Sequence, residues 1–473
     1  MSYIPHTTHE IEQMLEEIGV SSTEDLFDEI PNSLRCDHFN LGAGLNEYQV
    51  LRLCGERAKP QQNKLNFIGA GAYEHSIPAA VWDVVGRGEW MTAYTPYQAE
   101  ASQGTLQLIF EFQTMITQLT GMEVANASLY DGATALAEAV LMAVRSSKQG
   151  KRRILIPKSV HPHYREVVRV MTQWQGITLE DIDWDPITGQ ITNDLKAAPE
   201  DALALVLPFP NAFGVLEEVH QWVDWAHDQN LMVIAVVNPM ALALFEAPGH
   251  WGKTGADIVV GEGQPMGCPL SGGGPYFGFM CTRKSLVRHL PGRIVGRSHD
   301  LEGKVAYTLT LQAREQHIRR SKATSNICTN QGLAVSAATV FMSLLGNAGL
   351  REIAIASANN ARALVAQLQP LGIKPRFTAP YFYEVALQIP SQSEKTAIEL
   401  SHAVTAQGVH AGLCLETWSK ELDDCWLTAV TETKSAEDIN TYVRAVENIM
   451  HLDRDPQAAI PLSALASCVG ITT

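Results

Sequence analysis

Positive charge is scarce in this chain: 35 lysines and arginines stand against 51 aspartates and glutamates, a formal net charge of −16. So acidic a surface argues against the phosphate-neutralising patches of nucleic-acid binders and against docking on anionic membranes. A small molecule or another protein is the expected partner. Long apolar runs are missing too. The longest, LMVIAVVNPMALALF at 231–245, contains Asn238 and Pro239 and is too short to cross a bilayer, so no membrane span is expected. The opening MSYIPHTTHEIEQ lacks the basic start and apolar core of a secretion signal, which predicts a cytoplasmic protein. Eight cysteines, at 36, 54, 268, 281, 328, 414, 425 and 468, form no C-x-x-C pair and no cluster with histidine at ligand spacing. They are expected to be reduced thiols, and no metal site is predicted. Low-complexity linkers, charge blocks and short repeats are absent as well.

What is present is globular: 46% hydrophobic and 18% charged residues over 473 positions suit a large domain with a smaller companion. THEIEQMLEEIGV opens with a Thr7-x-x-Glu10 capping box and sets Ile11, Met14, Leu15 and Ile18 on one helical face. A loop-rich segment follows to about residue 70. Short apolar runs then alternate with helical periods: VANASLY (124–130), RILIP (153–157), ALALVLP (202–208), MVIAVV (232–237), DIVVG (257–261) and YFGFMC (276–281). That alternation predicts an α/β fold with a mostly parallel sheet and crossover helices. From 331, long helical stretches lead to a smaller α/β unit containing YFYEVALQIP and CWLTAVTET. The expected division is an N-terminal helical segment (1–65), a large domain (66–330) and a small C-terminal domain (331–473).

Ligands on such sheets bind beyond the carboxyl ends of the strands, so the chemistry is sought there. After VANASLY, Asp131-Gly132-Ala133-Thr134 opens a helix, a turn suited to a phosphate but common in any strand-to-helix junction. After RILIP comes His161, after MVIAVV comes Asn238, and after DIVVG the loop bearing Gln264. That last stretch, VVGEGQPMGCPLSGGGP at 259–275, holds no amine side chain. Strands that run this way into glycines often carry a lysine that holds an aldehyde cofactor as a Schiff base.

Together these positions resemble the large domain of pyridoxal-phosphate enzymes of the aminotransferase fold (fold type I). There the phosphate rests on a helix N-terminus, a His or aromatic ring stacks on the cofactor, an Asp pairs with the pyridinium nitrogen and a Lys forms the imine. The resemblance implies that Asn238 replaces the Asp and Gln264 the Lys, so this chain keeps the places and loses the functional groups. Longer stretches are more specific: GAGAYEHSIP (69–78), YTPYQAEASQGTLQLIFEFQT (94–114), PFPNAFGVLEE (208–218) and SKATSNICTNQGL (321–333) are similar to the N-terminal half of the glycine-cleavage P-protein, over essentially the whole chain. In bacteria with a split enzyme that half is a separate alpha subunit.

The resemblance implies an enzyme assembled from two kinds of subunit. The companion beta subunit would carry pyridoxal phosphate on its lysine, and this chain would bind no cofactor covalently. The assembly would decarboxylate glycine and pass the aminomethyl group to the lipoyl arm of the H-protein. Active sites of this fold form where two large domains meet, which makes Tyr94, Tyr97 and Gln103 on one loop and Lys322, Thr324 and Asn326 on another candidates for sharing, with His161 at its strand end. Lys322 stands in a basic run with Arg314, Arg319 and Arg320. The stoichiometry expected on this reading is two of each subunit. Two other readings stay open. A scaffold that contributes nothing to the companion's site uses the same loops, and a stand-alone cofactor enzyme needs another amine, such as Lys253 or Lys284.

Overall fold

Seven buried or half-buried strands form the central sheet of the computed structural model, which describes residues 5–36, 38, 40–59, 64–91, 94–192, 197–312, 315–390, 393 and 395–450. Arg314 and Cys468 lie outside the described residues. The strand order is Val124–Ala125, Gly278–Thr282, Ile258–Glu262, Met232–Val237, Ala202–Phe209, Arg153–Pro157 and Thr178–Ile182. The last five are mutually parallel, and only Gly278–Thr282 runs against its neighbours. Every apolar run read from the sequence supplies one strand, although VANASLY contributes only Val124–Ala125 plus a single bridge from Leu129 to Gly278. The edge strand Thr178–Ile182 was not expected. Its sequence, TLEDI, is polar because one side of an edge strand faces solvent, so it gives no apolar run to notice. The hairpin Ile294–His299 with Val305–Thr310 went unread for the same reason: its residues from Gly296 onward are at most half-buried.

Each face of the sheet carries its own core. Leu205, Val233 and Val259 point to one, packed by Phe112, Trp222 and Phe341; Ile154, Val206 and Val260 point to the other, covered by the helix Gly132–Ser146. Alternate residues of one strand thus fill opposite cores, as the two-residue side-chain period requires.

The expected boundary at 331 falls at the start of the helix Gly332–Leu368. Its first half packs Val335, Ala338 and Phe341 on the large core; after a kink at Gly346, its second half places Ala361, Leu364 and Leu368 in the small one. This helix is long and apolar enough to span a bilayer by composition alone, and it owes that composition to two protein cores. The small core closes around a four-stranded antiparallel sheet, ordered Lys374–Pro375, Glu384–Gln388, Cys425–Ala429 and Leu413–Cys414. Phe67 joins that core from the other end of the unit, where Leu65–Asn66 pairs in parallel with Val409–His410.

Among the described residues, those from Lys64 onward form one compact unit and those before it another. In the latter the helix Thr8–Ile18 has its capping box, with Thr7 and Glu10 bonding reciprocally. A second helix, Glu47–Ala58, starts at an Asn46/Gln49 box inside the segment read as loop.

Candidate functional site

The carboxyl ends of the parallel strands surround a cavity of about 80 Å³ lined by Tyr73, His161, Tyr164, Asn238, Glu262 and Glu384, among others. Ligand pockets usually enclose roughly 300 Å³ or more, so this one has room for a few waters and not for a cofactor. Each group that would hold pyridoxal phosphate here is bonded within the chain.

Gln264 is 1% exposed. Its Nε2 donates to the carbonyls of Tyr73 and Cys268, both at 2.8 Å, and its Oε1 accepts from the Tyr73 N–H at 2.8 Å. The side chain therefore staples two loops across the sheet's end. Asn238 donates its amide to the Tyr383 hydroxyl and accepts from the Met240 N–H. Two residues before Gln264, Glu262 turns onto the N-terminus of the helix Gly132–Ser146: Oε2 accepts from the Gly132 N–H at 2.9 Å, and Oε1 from the Gln264 N–H at 3.1 Å. The helix's Thr134 N–H is taken by its cap, Asp131, at 2.8 Å. An added Cβ at Gly132 would collide with the Tyr164 hydroxyl and lie 2.8 Å from the Glu262 nitrogen. The turn that the sequence offers as a phosphate cup is filled by the chain's own carboxyl group, so the residues present do not fit the cofactor.

Three buried carboxyl groups surround this end of the sheet. Burial pushes Glu262 up to about 8 against the pull of its backbone donors. Burial likewise raises Glu384 to about 7, opposed by the Ala70 N–H and the Tyr73 hydroxyl, and Glu217 to about 7, opposed by the Ile191 N–H, Asn211 and Ser159. Because these folded-state values exceed the ordinary carboxylate value, the folded chain holds protons that the unfolded chain has released. Their stabilisation is present at low pH and is lost as pH rises through 7 to 8. The thermal midpoint is expected to fall between pH 5.5 and 8.5. Glu384→Gln, which stays neutral throughout, should flatten that slope, removing up to about 2 kcal/mol of the stability lost across that range. An unchanged slope in melts followed across that range would refute the assignment.

His161 sits in this cavity. Its Nδ1 accepts from the His163 N–H, so Nε2 carries the proton it donates to the Ala70 carbonyl at 2.8 Å, and burial lowers its pKa to about 4. It meets Trp418 edge-on, with ring centroids 5.0 Å apart. The structure thus separates His161 from the other shared-site candidates. Gln103 is also spent internally, donating to the carbonyls of Ala99 and Tyr307 and accepting from the Tyr307 N–H. Tyr94 and Tyr97 are 65% and 74% exposed with ring centroids 6.3 Å apart, while Lys322 and Asn326 are exposed and Thr324 is half-buried. Both 94–97 and 327–330 line cavities with Pro96, which places the two loops side by side. The rival amines are elsewhere: exposed Lys253 precedes the strand Ile258–Glu262, and exposed Lys284 follows its antiparallel neighbour, putting both at the opposite edge of the sheet. Cys268 is buried and its thiol is pushed up to about 12, which suits packing and not nucleophilic chemistry.

Sequence reasoning missed Glu262, Glu384 and Arg293. Glu262 stands within the quoted stretch 259–275, and its signal was the glutamate directly ending a strand that carries no other charge. For Glu384 and Arg293 no local pattern gives a signal.

The family model for the glycine cleavage system P-protein matches residues 1–446. A probable glycine dehydrogenase (decarboxylating) subunit 1 of Nitrosomonas europaea is 54% identical over 454 residues, covering 95% of this chain and 99% of that one. A protein of the same name in Coxiella burnetii is 53% identical over 452 residues, covering 95% and 100%. Among solved structures, an inhibitor-bound glycine decarboxylase (P-protein) of the glycine cleavage system superposes with a TM-score of 0.85 at 39% identity, covering 95% of this chain and 100% of that one. The fold extends further: an aspartate aminotransferase from Thermus thermophilus matches with a TM-score of 0.54 at 13% identity, covering 82% and 99%. With the fold type I sheet and sequence similarity over nearly its full length, this chain belongs to the glycine cleavage system P-protein family.

Proposed function

We propose that this chain is the cofactor-free half of a glycine-decarboxylating enzyme. In this reading a companion beta subunit carries pyridoxal phosphate on its own lysine, and the assembly decarboxylates glycine and transfers the aminomethyl group to the lipoyl arm of the H-protein. The observation that carries the reading is the stapled Gln264: an amide committed to three internal bonds, where an enzyme of this fold holds its cofactor. The numbering of its relatives as subunit 1 implies a second subunit.

Within that assembly this chain's part is to bind and orient. Tyr94 and Tyr97 offer exposed phenols and Lys322 an exposed ammonium on adjacent loops, groups suited to an oxygen or an anion across an interface. Tyr97→Phe and Lys322→Ala are expected to leave the complex intact by sedimentation while lowering glycine–bicarbonate exchange about 10- to 100-fold, the effect of a lost contact worth roughly 1.5–3 kcal/mol. Normal exchange in both variants, with normal assembly, would make the chain a scaffold.

A further inference from the structure

Four buried side-chain polar atoms with no partner belong to three neighbouring segments: Thr95 Oγ1, Arg293 Nη1, Thr329 Oγ1 and Asn330 Nδ2. Buried polar groups are nearly always paired, so four orphans in neighbouring segments mark a place that something else completes. Pro96, Tyr97, Arg293, Ile327 and Cys328 border one cavity of about 330 Å³, and Thr95 and Asn330 border a smaller cavity beside it that shares Pro96. Thr329 lies between them in sequence. The Arg293 guanidinium is 5.9 Å from the centre of the Tyr97 ring.

The orphans say what is missing. A guanidinium and an amide nitrogen can only donate, and a threonine hydroxyl can donate, so the absent partner is an acceptor oxygen. The guanidinium makes that acceptor an anion, matched best by a carboxylate or phosphate that takes two parallel N–H bonds. Among the described residues Glu315 and His317 also line the cavity, and Arg319, Arg320 and Lys322 follow in the next turn. Local charge is therefore positive in a chain of net charge −16. Exposed Tyr94 and Tyr97 form the rim. Exposed tyrosines beside a half-buried arginine have the composition of a protein-interface hot spot.

We propose that Arg293, with Thr95, Thr329 and Asn330, forms the seat for a carboxylate side chain that the companion subunit inserts on assembly. This rests on the proposed function, which supplies the companion; it adds where the two chains lock and by what chemistry.

The test is the affinity of the purified chain for the purified companion, measured by sedimentation at several salt concentrations. Arg293→Ala and Arg293→Gln, checked as folded by unchanged melting of the isolated chain, should weaken assembly about 30-fold or more, the usual result of truncating one member of a buried charge pair. Arg293→Lys, which keeps the charge without the fork, should recover part of it. Arg319→Ala should change affinity less than about threefold, as rim charges do. Wild-type affinity in Arg293→Ala and Arg293→Gln would overturn the seat while leaving the proposed function standing. Failure of the wild-type chains to assemble would overturn both. A second arm titrates the isolated chain with inorganic phosphate: saturable binding that Arg293→Ala abolishes would make this a free-anion site and overturn the companion carboxylate.

Discussion

Gln264→Lys is expected to lower the thermal midpoint of the chain by roughly 5 °C and to leave it unable to decarboxylate glycine without a companion. The stability loss follows from the staple. A lysine can donate to the Tyr73 and Cys268 carbonyls but cannot accept from the Tyr73 N–H, which is left without its partner, and its ammonium enters a position that is 1% exposed. An uncompensated buried charge costs about 3–5 kcal/mol. Unfolding entropy of roughly 2.1 cal/mol/K per residue over some 400 residues converts about 4 kcal/mol to about 5 °C. The missing activity follows from the neighbours. An amine at 264 would face a helix N-terminus already occupied by Glu262, a residue 238 without negative charge, and about 80 Å³ of space. Restoring one functional group does not restore the cup, the charge or the volume. Glycine decarboxylation by the isolated variant would contradict this account, as would a borohydride-stable cofactor label on Lys at 264 in a variant that melts like the parent.

The sheet was legible because buried parallel strands leave continuous apolar runs, and each of RILIP, ALALVLP, MVIAVV and DIVVG marks its strand to within a residue. The site's shape was less legible, for a different physical reason. Each long motif resembling the family is explained in part by contacts that hold loops together. In GAGAYEHSIP, the Ala70 N–H and Tyr73 hydroxyl bond to Glu384, and His75 pairs with Glu432 at 2.8 Å. In PFPNAFGVLEE, Asn211 bonds to Glu217, and a side chain on Gly214, whose φ is +79°, would run into the Glu384 carbonyl. In SKATSNICTNQGL, the Cys328 N–H donates to the Tyr130 hydroxyl and the Gln331 N–H to Ser128. These partners are distant in sequence, and no local spacing announces them. A motif can therefore identify the family while leaving open which of its residues reach a ligand: Gln103 and His161 are consumed inside the chain, whereas Tyr94 and Tyr97 are not.

Glu262→Ala is expected to destabilise the chain by about 3 kcal/mol and, unlike the parent, to be stabilised by inorganic phosphate. Removing the carboxyl group orphans the Gly132 and Gln264 N–H groups, each buried group costing roughly 1–3 kcal/mol when left unpaired. It also vacates the space at the start of a 15-residue helix, where exposed N–H groups and the helix dipole favour an anion. In the parent the site is self-filled by a carboxyl group whose pKa burial pushes up to about 8, which satisfies the helix end without a stable charge beside Asp131. A ligand that binds only the folded variant raises its stability in proportion to the logarithm of concentration, by about 2.7 kcal/mol at a hundred times its Kd. Melting curves at constant ionic strength and rising phosphate should therefore climb for Glu262→Ala and stay level for the parent. Glu262→Gln, which keeps one acceptor oxygen and fills the same volume, should lose less stability and show no response to phosphate. A parallel rise in all three proteins would mean that phosphate acts elsewhere on the surface, and a destabilised Glu262→Ala that ignores phosphate would mean that the helix end, once opened, collapses before an anion can enter.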